Sequence, residues 1–295
     1  MTIKNDVKTG LVLLIVITLG ATFLSTGTVS ANRTQGVDWS RYQTAQGEFG
    51  YANDTFMLAQ IGGYTAKTGL YPQTTYASQI KAARAKDLHA HSYFWWEDIT
   101  ARQQVDKLLA YVLPKVKTPH DSIIAIDFEA GPAAKATNTK LLVYAMNKIK
   151  AKGYTPMLYS SKYFLLVHVQ LETILKQFGA CLWVAGYRDM NLATTPDYHS
   201  FPSLPGVAIW QFTSNYVAGG LDGNVDLLGV THKGYIANKP TQKHVTQKIS
   251  KPQTKSSKSK NRTKGVHKPY LTSLLKKFFV FYSNLCLMIL FLVLN

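Results

Sequence analysis

The chain has 295 residues, of which 46% are hydrophobic and 17% are charged, with 20 glycines, 11 prolines and two cysteines. These fractions are typical of a globular protein, and they exclude a collagen-like chain, a wholly disordered chain and a disulfide scaffold. The net charge of +17 is uneven, because residues 32–232 carry 18 basic and 15 acidic groups while residues 233–295 carry 13 basic and no acidic ones. The near-balanced middle of the chain therefore predicts a folded domain with no nucleic-acid partner, and we expect it to be a monomer.

The N-terminal residues 1–31 have the pattern of a secretory signal peptide. Lys4 and Lys8 precede an apolar stretch from Leu11 to Leu24, and small residues follow at Val29-Ser30-Ala31. The alternative is an uncleaved membrane anchor, although the stretch is short for a bilayer span. Either interpretation predicts a protein that acts outside the cytoplasm.

Residues 32–232 alternate short apolar runs with amphipathic stretches. Strands are predicted at 36–39, 56–61, 89–95, 122–129, 155–159, 181–186, 207–212 and 225–228, and helices at 75–86, from 100 onwards, and at 139–152 before Gly153. This alternation favours parallel strands with helical crossovers, and so an α/β fold, an irregular TIM-like β/α barrel. In such barrels the active site lies at the carboxyl ends of the strands.

Two carboxylates end the most apolar strand. Asp127 and Glu129 follow Ile123–Ile126, and because side chains alternate along a strand they should share a face while Phe128 points into the helical layer. Two acids this close in a partly dry cleft should raise at least one pKa, so that one acid is protonated while its neighbour is ionised. Cleavage of a glycosidic bond requires that combination. The alternatives are a strand that ends in solvated acids, or a carboxylate pair that binds a metal.

Two further acids are placed at the same mouth by the predicted barrel. Asp38 follows Gly36 and Val37 in the first strand, and Asp226 is placed at the start of the last one. Closure of a barrel makes its first and last strands neighbours, so both acids should approach Asp127 and Glu129. His89 and His91 could together ligate a metal from one strand face, but no Cys or further His stands at a recognisable ligand spacing. We therefore expect neither a metal nor a cofactor.

Aromatic residues cluster near the same strand ends. Aromatic rings pack against the C–H faces of sugars, so these residues indicate a polysaccharide cleft, with core packing as the alternative for about half of them. The side chains assigned to substrate binding are Tyr93, Trp95, Tyr159, Tyr187, Trp210 and Gln211.

The C-terminal residues divide into two segments. Residues 233–277 are rich in Lys, Ser, Thr, Gln and Pro, which predicts a disordered basic linker, either a plain spacer or an adhesive segment for an anionic wall polymer or membrane lipid. Residues 278–294 are apolar and form a possible membrane anchor, with an interfacial helix or the product of a truncated reading frame as alternatives. The predicted location is therefore the cell surface or the extracellular space.

Six stretches, taken in order, resemble glycoside hydrolase family 25, the lysozymes first described from Chalaropsis fungi and bacteriophages. They are Gly36–Ser40, Ile126–Glu129, Pro156–Ser161, Leu182–Tyr187, Ile209–Thr213 and Gly223–Asp226. The resemblance covers about residues 36–230.

This resemblance implies a retaining N-acetylmuramidase that cleaves the β-1,4 bond between N-acetylmuramic acid and N-acetylglucosamine in peptidoglycan strands. It makes Glu129 the general acid and Asp127 its partner, which either orients the substrate's acetamido group or acts as a direct nucleophile. It makes Asp38 and Asp226 supporting acids. Two other functions stay open on the same barrel: a non-catalytic cell-wall-binding surface protein, and a glycosidase for another N-acetylated polysaccharide such as chitin.

Overall fold

The computed structural model describes residues 33–235, which contain nine strands. The strands, in chain order, are β1 Thr34–Trp39, β2 Phe56–Thr65, β3 Gly69–Pro72, β4 His89–Trp96, β5 Ile123–Asp127, β6 Thr155–Ser161, β7 Leu182–Ala185, β8 Val207–Thr213 and β9 Asp222–Asp226. The helices are α1 Tyr76–Arg84, α2 Arg102–Val112, α3 Lys135–Ala151, α4 Lys162–His168 and α5 Leu171–Phe178. Single 3-10 turns lie at Leu113–Lys115, Tyr198–Ser200 and Val230–His232.

Eight of these strands close into a barrel. β1 pairs with β2 on one side and with β9 on the other, and these two pairings close the ring of eight strands. β3 lies outside the ring, because it forms a hairpin with the end of β2. The pairings from β1 through β2 and β4 to β8 are parallel, as the alternating pattern predicts. The predicted irregular β/α barrel is therefore confirmed.

The last strand runs against the others, which the sequence interpretation does not anticipate. β9 is antiparallel to both β8 and β1. The connection at residues 214–221 is too short for the crossover of a dozen or more residues that a parallel strand requires. The carboxyl end of β9 therefore lies at the amino ends of the other strands, and we call this end of the barrel the floor and the opposite end the mouth.

Two apolar layers follow from the alternation of side chains along the strands. One fills the barrel interior and contains Leu58, Ala125, Met157 and Ile209, among others. The other lies between the strands and the helices and includes the predicted stripe of α2, which is buried throughout: Val105, Leu108, Leu109 and Val112. These layers assign each strand residue either to the interior, and so to the cleft, or to the helical layer.

The predicted helices form, with shifted starts. α2 begins at Arg102, two residues after the predicted start, and the Gln104 side-chain oxygen accepts the backbone N–H of Ala101 over 3.0 Å. α3 begins at Lys135, four residues before the predicted start, and Gly153 follows it with a φ of 81°, as a glycine after a helix end should.

The predicted signal peptide at 1–31, almost all of the predicted linker at 233–277 and the apolar segment at 278–294 lie outside the described residues. Within residues 33–235, none of the helices combines the length and the apolar character needed to cross a bilayer.

Candidate active site

The acid pair lies at the mouth, at the carboxyl end of β5. Asp127 is the last residue of β5, and Glu129 stands two residues further along the chain. Phe128 between them is fully buried in the helical layer, where its ring contacts Phe164 at a centroid distance of 5.0 Å. The Phe128 N–H donates to the Tyr159 carbonyl, which continues the strand pairing beyond Asp127. The predicted alternation along this segment is therefore what directs both carboxylates to the interior side.

Tyr159 lies among three of the acids. Burial raises the pKa of the Tyr159 hydroxyl well above its ordinary value, and the charges of Glu129, Asp127 and Asp38 raise it further. The hydroxyl is therefore a neutral hydrogen-bond donor, and it donates to Gln211 Oε1 over 2.9 Å. This shared influence on one buried ring of β6 indicates that β1 and the end of β5 bring the three carboxylates to the same end of the interior.

Tyr93 on β4 reports a second grouping. Burial raises the pKa of its hydroxyl well above the ordinary value, followed by the charges of Asp38, Asp127 and Asp222. Asp222 is the first residue of β9 and is paired in register with Asp38. The fourth acid at the mouth is thus Asp222.

Asp38 is held in a hydrogen-bond network of side-chain amides. Asn224 Nδ2 and Gln211 Nε2 donate to Asp38 Oδ2 over 2.8 and 2.9 Å. Trp183 Nε1 donates to Asn224 Oδ1 over 2.7 Å, so the amide is fixed from its other side. Asp38 itself is 5% exposed. Two donors on one buried oxygen favour the ionised carboxylate and fix its orientation.

The aromatic rings of the site form a buried group and a rim. The rings of Tyr93 and Tyr159 lie 5.7 and 4.3 Å from that of Trp183, and all three residues are buried below the acids. Trp95 and Tyr187 are more open, with Tyr187 38% exposed. Trp95 is in register with Asp127. The buried rings therefore support the acids, and the two rim residues are available to a glycan.

Trp210 is not part of the cleft. It is fully buried in the helical layer, where its ring packs against Phe201 and Phe212 and its Nε1 donates to the Gly186 carbonyl. Its assignment to substrate binding is wrong on geometry, because position 210 points outward from β8 while its neighbour Gln211 points inward. The other five predicted binding side chains lie in the barrel interior or at the rim.

Asp226 is also wrongly placed by the sequence interpretation. It ends β9 at the floor, paired with Thr34 at the start of β1. Its carboxylate is fully buried and accepts the backbone N–H groups of Leu228, Val230 and Thr231 and the Thr231 hydroxyl, over 2.7–3.1 Å. The antiparallel direction of β9 exchanges the two acids, so that Asp222 takes the position expected of Asp226. Asp226 instead anchors the turn that closes the floor.

The two strand histidines lie at the floor and form part of this closure. His91 Nδ1 accepts the Ile123 N–H, so its Nε2 carries the proton that faces the Thr231 carbonyl, over 3.0 Å each. Burial lowers the pKa of His91 to about 3, so the ring is neutral. Among the residues that the structure describes, no group of three or more His, Cys, Asp or Glu side chains is arranged to hold a metal ion.

Two site residues have weak signals in the sequence. Tyr71 on β3 has its pKa raised by burial and by Asp127, which places it near the acid pair, yet β3 is a four-residue strand with no apolar periodicity. Asn224 lies in the Gly223–Asp226 stretch, but its contact with Asp38 follows only from the pairing of β9 with β1. Antiparallel pairing is the signal that identifies both Asn224 and Asp222.

Comparison with known proteins gives the same fold and a family. The model of glycosyl hydrolases family 25 matches residues 37–221. A lysozyme of Streptococcus phage Cp-9 is 31% identical over 169 residues, covering 55% of this chain and 47% of that protein. The D-alanyl-L-alanine endopeptidase of Streptococcus phage B30 is 39% identical over 136 residues, covering 46% of this chain and 30% of that protein. The chain thus spans less than half the length of these two relatives.

Two solved structures support the barrel. The multimodular pneumococcal cell wall endolysin from phage Cp-1, complexed with choline, superposes with a TM-score of 0.56 at 23% identity, over 71% of this chain and 57% of that one. The modular Cpl-1 endolysin complexed with a peptidoglycan analogue gives a TM-score of 0.55 at 24% identity, over 66% and 54%. The family match extends from β1 to the residue before β9, which is well over half of the chain, and the protein belongs to glycosyl hydrolases family 25.

Proposed function

We propose that this protein is a lysozyme, a retaining N-acetylmuramidase that hydrolyses the β-1,4 bond between N-acetylmuramic acid and N-acetylglucosamine in peptidoglycan. The observation that carries the proposal is the grouping of Asp127, Glu129 and Asp38 around Tyr159 at the open end of a barrel. Relatives described as lysozymes, and a similar fold solved with a peptidoglycan analogue, support the same substrate class.

Glu129 is the proposed general acid. It is more exposed than Asp127, which is 5% exposed, so it is the carboxyl that can reach a leaving oxygen in the cleft. Several acids in one cleft make it unfavourable for all of them to be ionised, which favours a retained proton. Glu129 gives that proton to the leaving oxygen as the glycosidic bond breaks.

Asp127 is proposed to orient the acetamido group of the substrate, whose oxygen attacks the anomeric carbon. Glu129, now ionised, then takes a proton from the water that opens the intermediate, which restores the starting state with net retention. Direct attack by Asp127 would also give retention. Asp38, fixed by Gln211 and Asn224, stabilises positive charge that develops on the sugar, and Asp222 joins it there in place of Asp226.

A matched pair of variants tests the assignment. Glu129→Gln keeps the shape and removes the proton donor, and a general acid contributes about 100-fold or more to the rate. Glu172→Gln makes the same chemical change on an exposed position of α5 in the outer helical layer. Release of reducing ends from Gram-positive walls should fall at least 100-fold in the first variant and stay at the wild-type rate in the second. Mass spectrometry should find muramic acid at the new reducing ends.

Wild-type clearing by Glu129→Gln would exclude the mechanism. Binding to walls by the wild type without release of sugar would instead favour the non-catalytic wall-binding protein. A preference for chitin over peptidoglycan would redirect the substrate assignment.

Thiol-dependent peptide cleavage is not favoured by the described residues. Cys181 is buried in the helical layer, and burial raises the pKa of its thiol to about 12. A nucleophilic cysteine requires an accessible thiolate near neutral pH. Cys181 is therefore not a candidate nucleophile for the activity that the name of the phage B30 relative describes.

Export and attachment are proposed from the sequence alone. We assign residues 1–31 to a signal peptide, 32–232 to the catalytic barrel, 233–277 to a basic linker that binds anionic wall polymer or lipid, and 278–294 to a membrane anchor. Cell fractionation separates the two attachments, because a high-salt wash releases a protein held by charge and leaves an anchored one in the membrane pellet.

A further inference from the structure

Several acids lie at the mouth, and the cation Arg41 lies near them. Asp38, Asp127 and Asp222 all act electrostatically on Tyr93. Arg41 follows β1 by two residues and acts on Tyr71, whose pKa it lowers while Asp127 raises it. Peptidoglycan carries carboxylates on its peptide stems, and an acid-lined cleft repels them. A basic group near the mouth would offset this repulsion.

The strand register places Tyr71 on the same side of the mouth as the acid pair. One row runs from Asp127 to Trp95, from Trp95 to Gly63, and from Gly63 to Tyr71. Neighbouring strands lie about 4.8 Å apart, so the three spacings between Asp127 and Tyr71 add up to about 14 Å along this row. Gly63 allows the close approach, since a Cβ there would lie 2.6 Å from the Trp95 Cβ. The rim is thus beside the cleavage centre and outside it.

The guanidinium of Arg41 lies against the ring of Tyr42 and acts electrostatically on Tyr71. Its Nη2 donates to the Tyr42 hydroxyl over 3.4 Å, and its Cζ lies 5.3 Å from the centre of the Tyr42 ring. An arginine has five N–H donors, so this weak bond leaves a fork of donors for a carboxylate. Within residues 33–235 the ion pairs use Lys148, Arg188 and His199 as cations, and Arg41 is in none of them.

The loop that carries Arg41 and Tyr42 is fixed from below. Gln79 on α1 is fully buried, and its Nε2 lies 2.9, 3.0 and 3.1 Å from the carbonyl oxygens of Ser40, Gln43 and Thr44. The Ser40 N–H also donates to Gln43 Oε1 over 2.8 Å. The backbone is therefore held on both sides of Arg41. A fixed backbone lowers the entropy that binding must overcome.

An acid that acts on the same tyrosine, Glu97, is also held in place. Trp95 Nε1 donates to Glu97 Oε2 over 2.8 Å, and the Glu97 charge also acts on Tyr71. A negatively charged group of the substrate would avoid Glu97 and approach Arg41. Glu97 thus repels, and Arg41 attracts, an anionic side branch of the substrate.

We propose that Arg41, with Tyr42 and Tyr71, is a specificity-determining site that binds a free carboxylate on the peptide stem of the substrate. The inference rests on the proposed muramidase function. Lysine in place of Arg41 keeps the charge but loses the planar fork, and glutamine loses the charge. Arg102 provides the matched control, because it lies on α2 over the ring of Tyr144, in the helical layer.

The experiment compares wild type, Arg41→Gln, Arg41→Lys and Arg102→Gln on soluble glycan oligomers that are free of teichoic acid. The oligomers carry no stem, a stem with a free α-carboxylate on its second residue, or the same stem amidated there. Release of reducing ends gives kcat and KM. Wild type should favour the free carboxylate over the amide by about 10-fold in kcat/KM, through KM.

Arg41→Gln should lose this preference while it cleaves the stem-free glycan at the wild-type rate, Arg41→Lys should keep part of it, and Arg102→Gln should match wild type. An unchanged preference in Arg41→Gln, or an equal loss on all three oligomers, overturns the proposal. So does an Arg41→Gln defect that appears only on walls containing phosphate polymers, which would assign the arginine to phosphate. A wild type that releases no reducing ends from any oligomer refutes the muramidase function instead.

Discussion

The exchange of roles between Asp222 and Asp226 can be tested by the same substitution at both positions. The Asp226 carboxylate is fully buried at the floor and accepts four hydrogen bonds, from three backbone N–H groups and the Thr231 hydroxyl. In Asp226→Asn, one side-chain oxygen remains as an acceptor and an NH₂ group replaces the other. This NH₂ group cannot accept the hydrogen bonds of the donors that face it. Asp222 is partly exposed at the mouth, so Asp222→Asn alters charge near the substrate with little change in packing.

The expected cost at Asp226 follows from those bonds. Hydrogen bonds to a charged group contribute about 1.5–3 kcal/mol each, and two are lost, so the free energy of unfolding should fall by about 3–6 kcal/mol. For a domain of this size each kcal/mol shifts Tm by about 2–4 °C, which gives a decrease of roughly 6–24 °C. The folded fraction of Asp226→Asn should retain kcat/KM within about 3-fold, which is under 1 kcal/mol.

Asp222→Asn should show the opposite pattern. Loss of a charge that stabilises the transition state should lower kcat/KM by about 10-fold, or 1.4 kcal/mol, with Tm within about 2 °C of wild type. Thermal unfolding and glycan cleavage measured on the same preparations separate the two effects. An Asp226→Asn variant with an unchanged Tm and a 100-fold loss of kcat/KM would refute this reasoning and restore Asp226 to the active site.

Two further predictions concern groups outside the cleft. His91 is neutral when folded, with a pKa of about 3 against an ordinary value of 6.5, so below pH 6.5 the unfolded chain binds a proton that the native state does not. His91 alone should therefore lower the free energy of unfolding by about 1.4 kcal/mol per pH unit from pH 6.5 towards 4. His91→Gln, whose amide can bond Ile123 and Thr231 in the same way, should reduce the slope in urea titrations by that amount, while His89 and His168, whose pKa values burial also lowers, keep contributing. Trp210→Phe should lower the free energy of unfolding by about 1–3 kcal/mol through lost packing and the lost bond to Gly186, while an increase in KM for glycan would show that the ring contacts substrate after all.

The sequence predicts the site best where a strand is bounded by a clear change from apolar to polar residues. The run that ends at Asp127 has this boundary, so the alternation assigns Asp127 and Glu129 to the interior and Phe128 to the helical layer. The run around Trp210 has none, because β8 is buried at every position and period two then fails to distinguish its faces.

Asp226 was misplaced for a different reason, which lies in strand direction. The alternating pattern implies parallel strands, and the antiparallel β9 breaks it. Residues 214–221 contain the turn glycines Gly219 and Gly220, with φ of 112° and 94°, and no helical pattern. A connection of eight residues cannot return the chain to the floor and start a parallel strand, so its length is the signal for reversal. Loop length therefore decides which of two acids in one motif reaches the mouth.

The antiparallel last strand also determines how the barrel can be tethered. The described chain begins beside Thr34 at the floor, and it leaves at Tyr235, whose ring stacks on His89 at 4.4 Å and whose hydroxyl donates to the Ala90 carbonyl. Both ends are thus one strand length, roughly 20 Å, from the acids. A molecule that contacts the barrel at either of these two positions would therefore lie on the side opposite the acids, where it leaves the cleft uncovered.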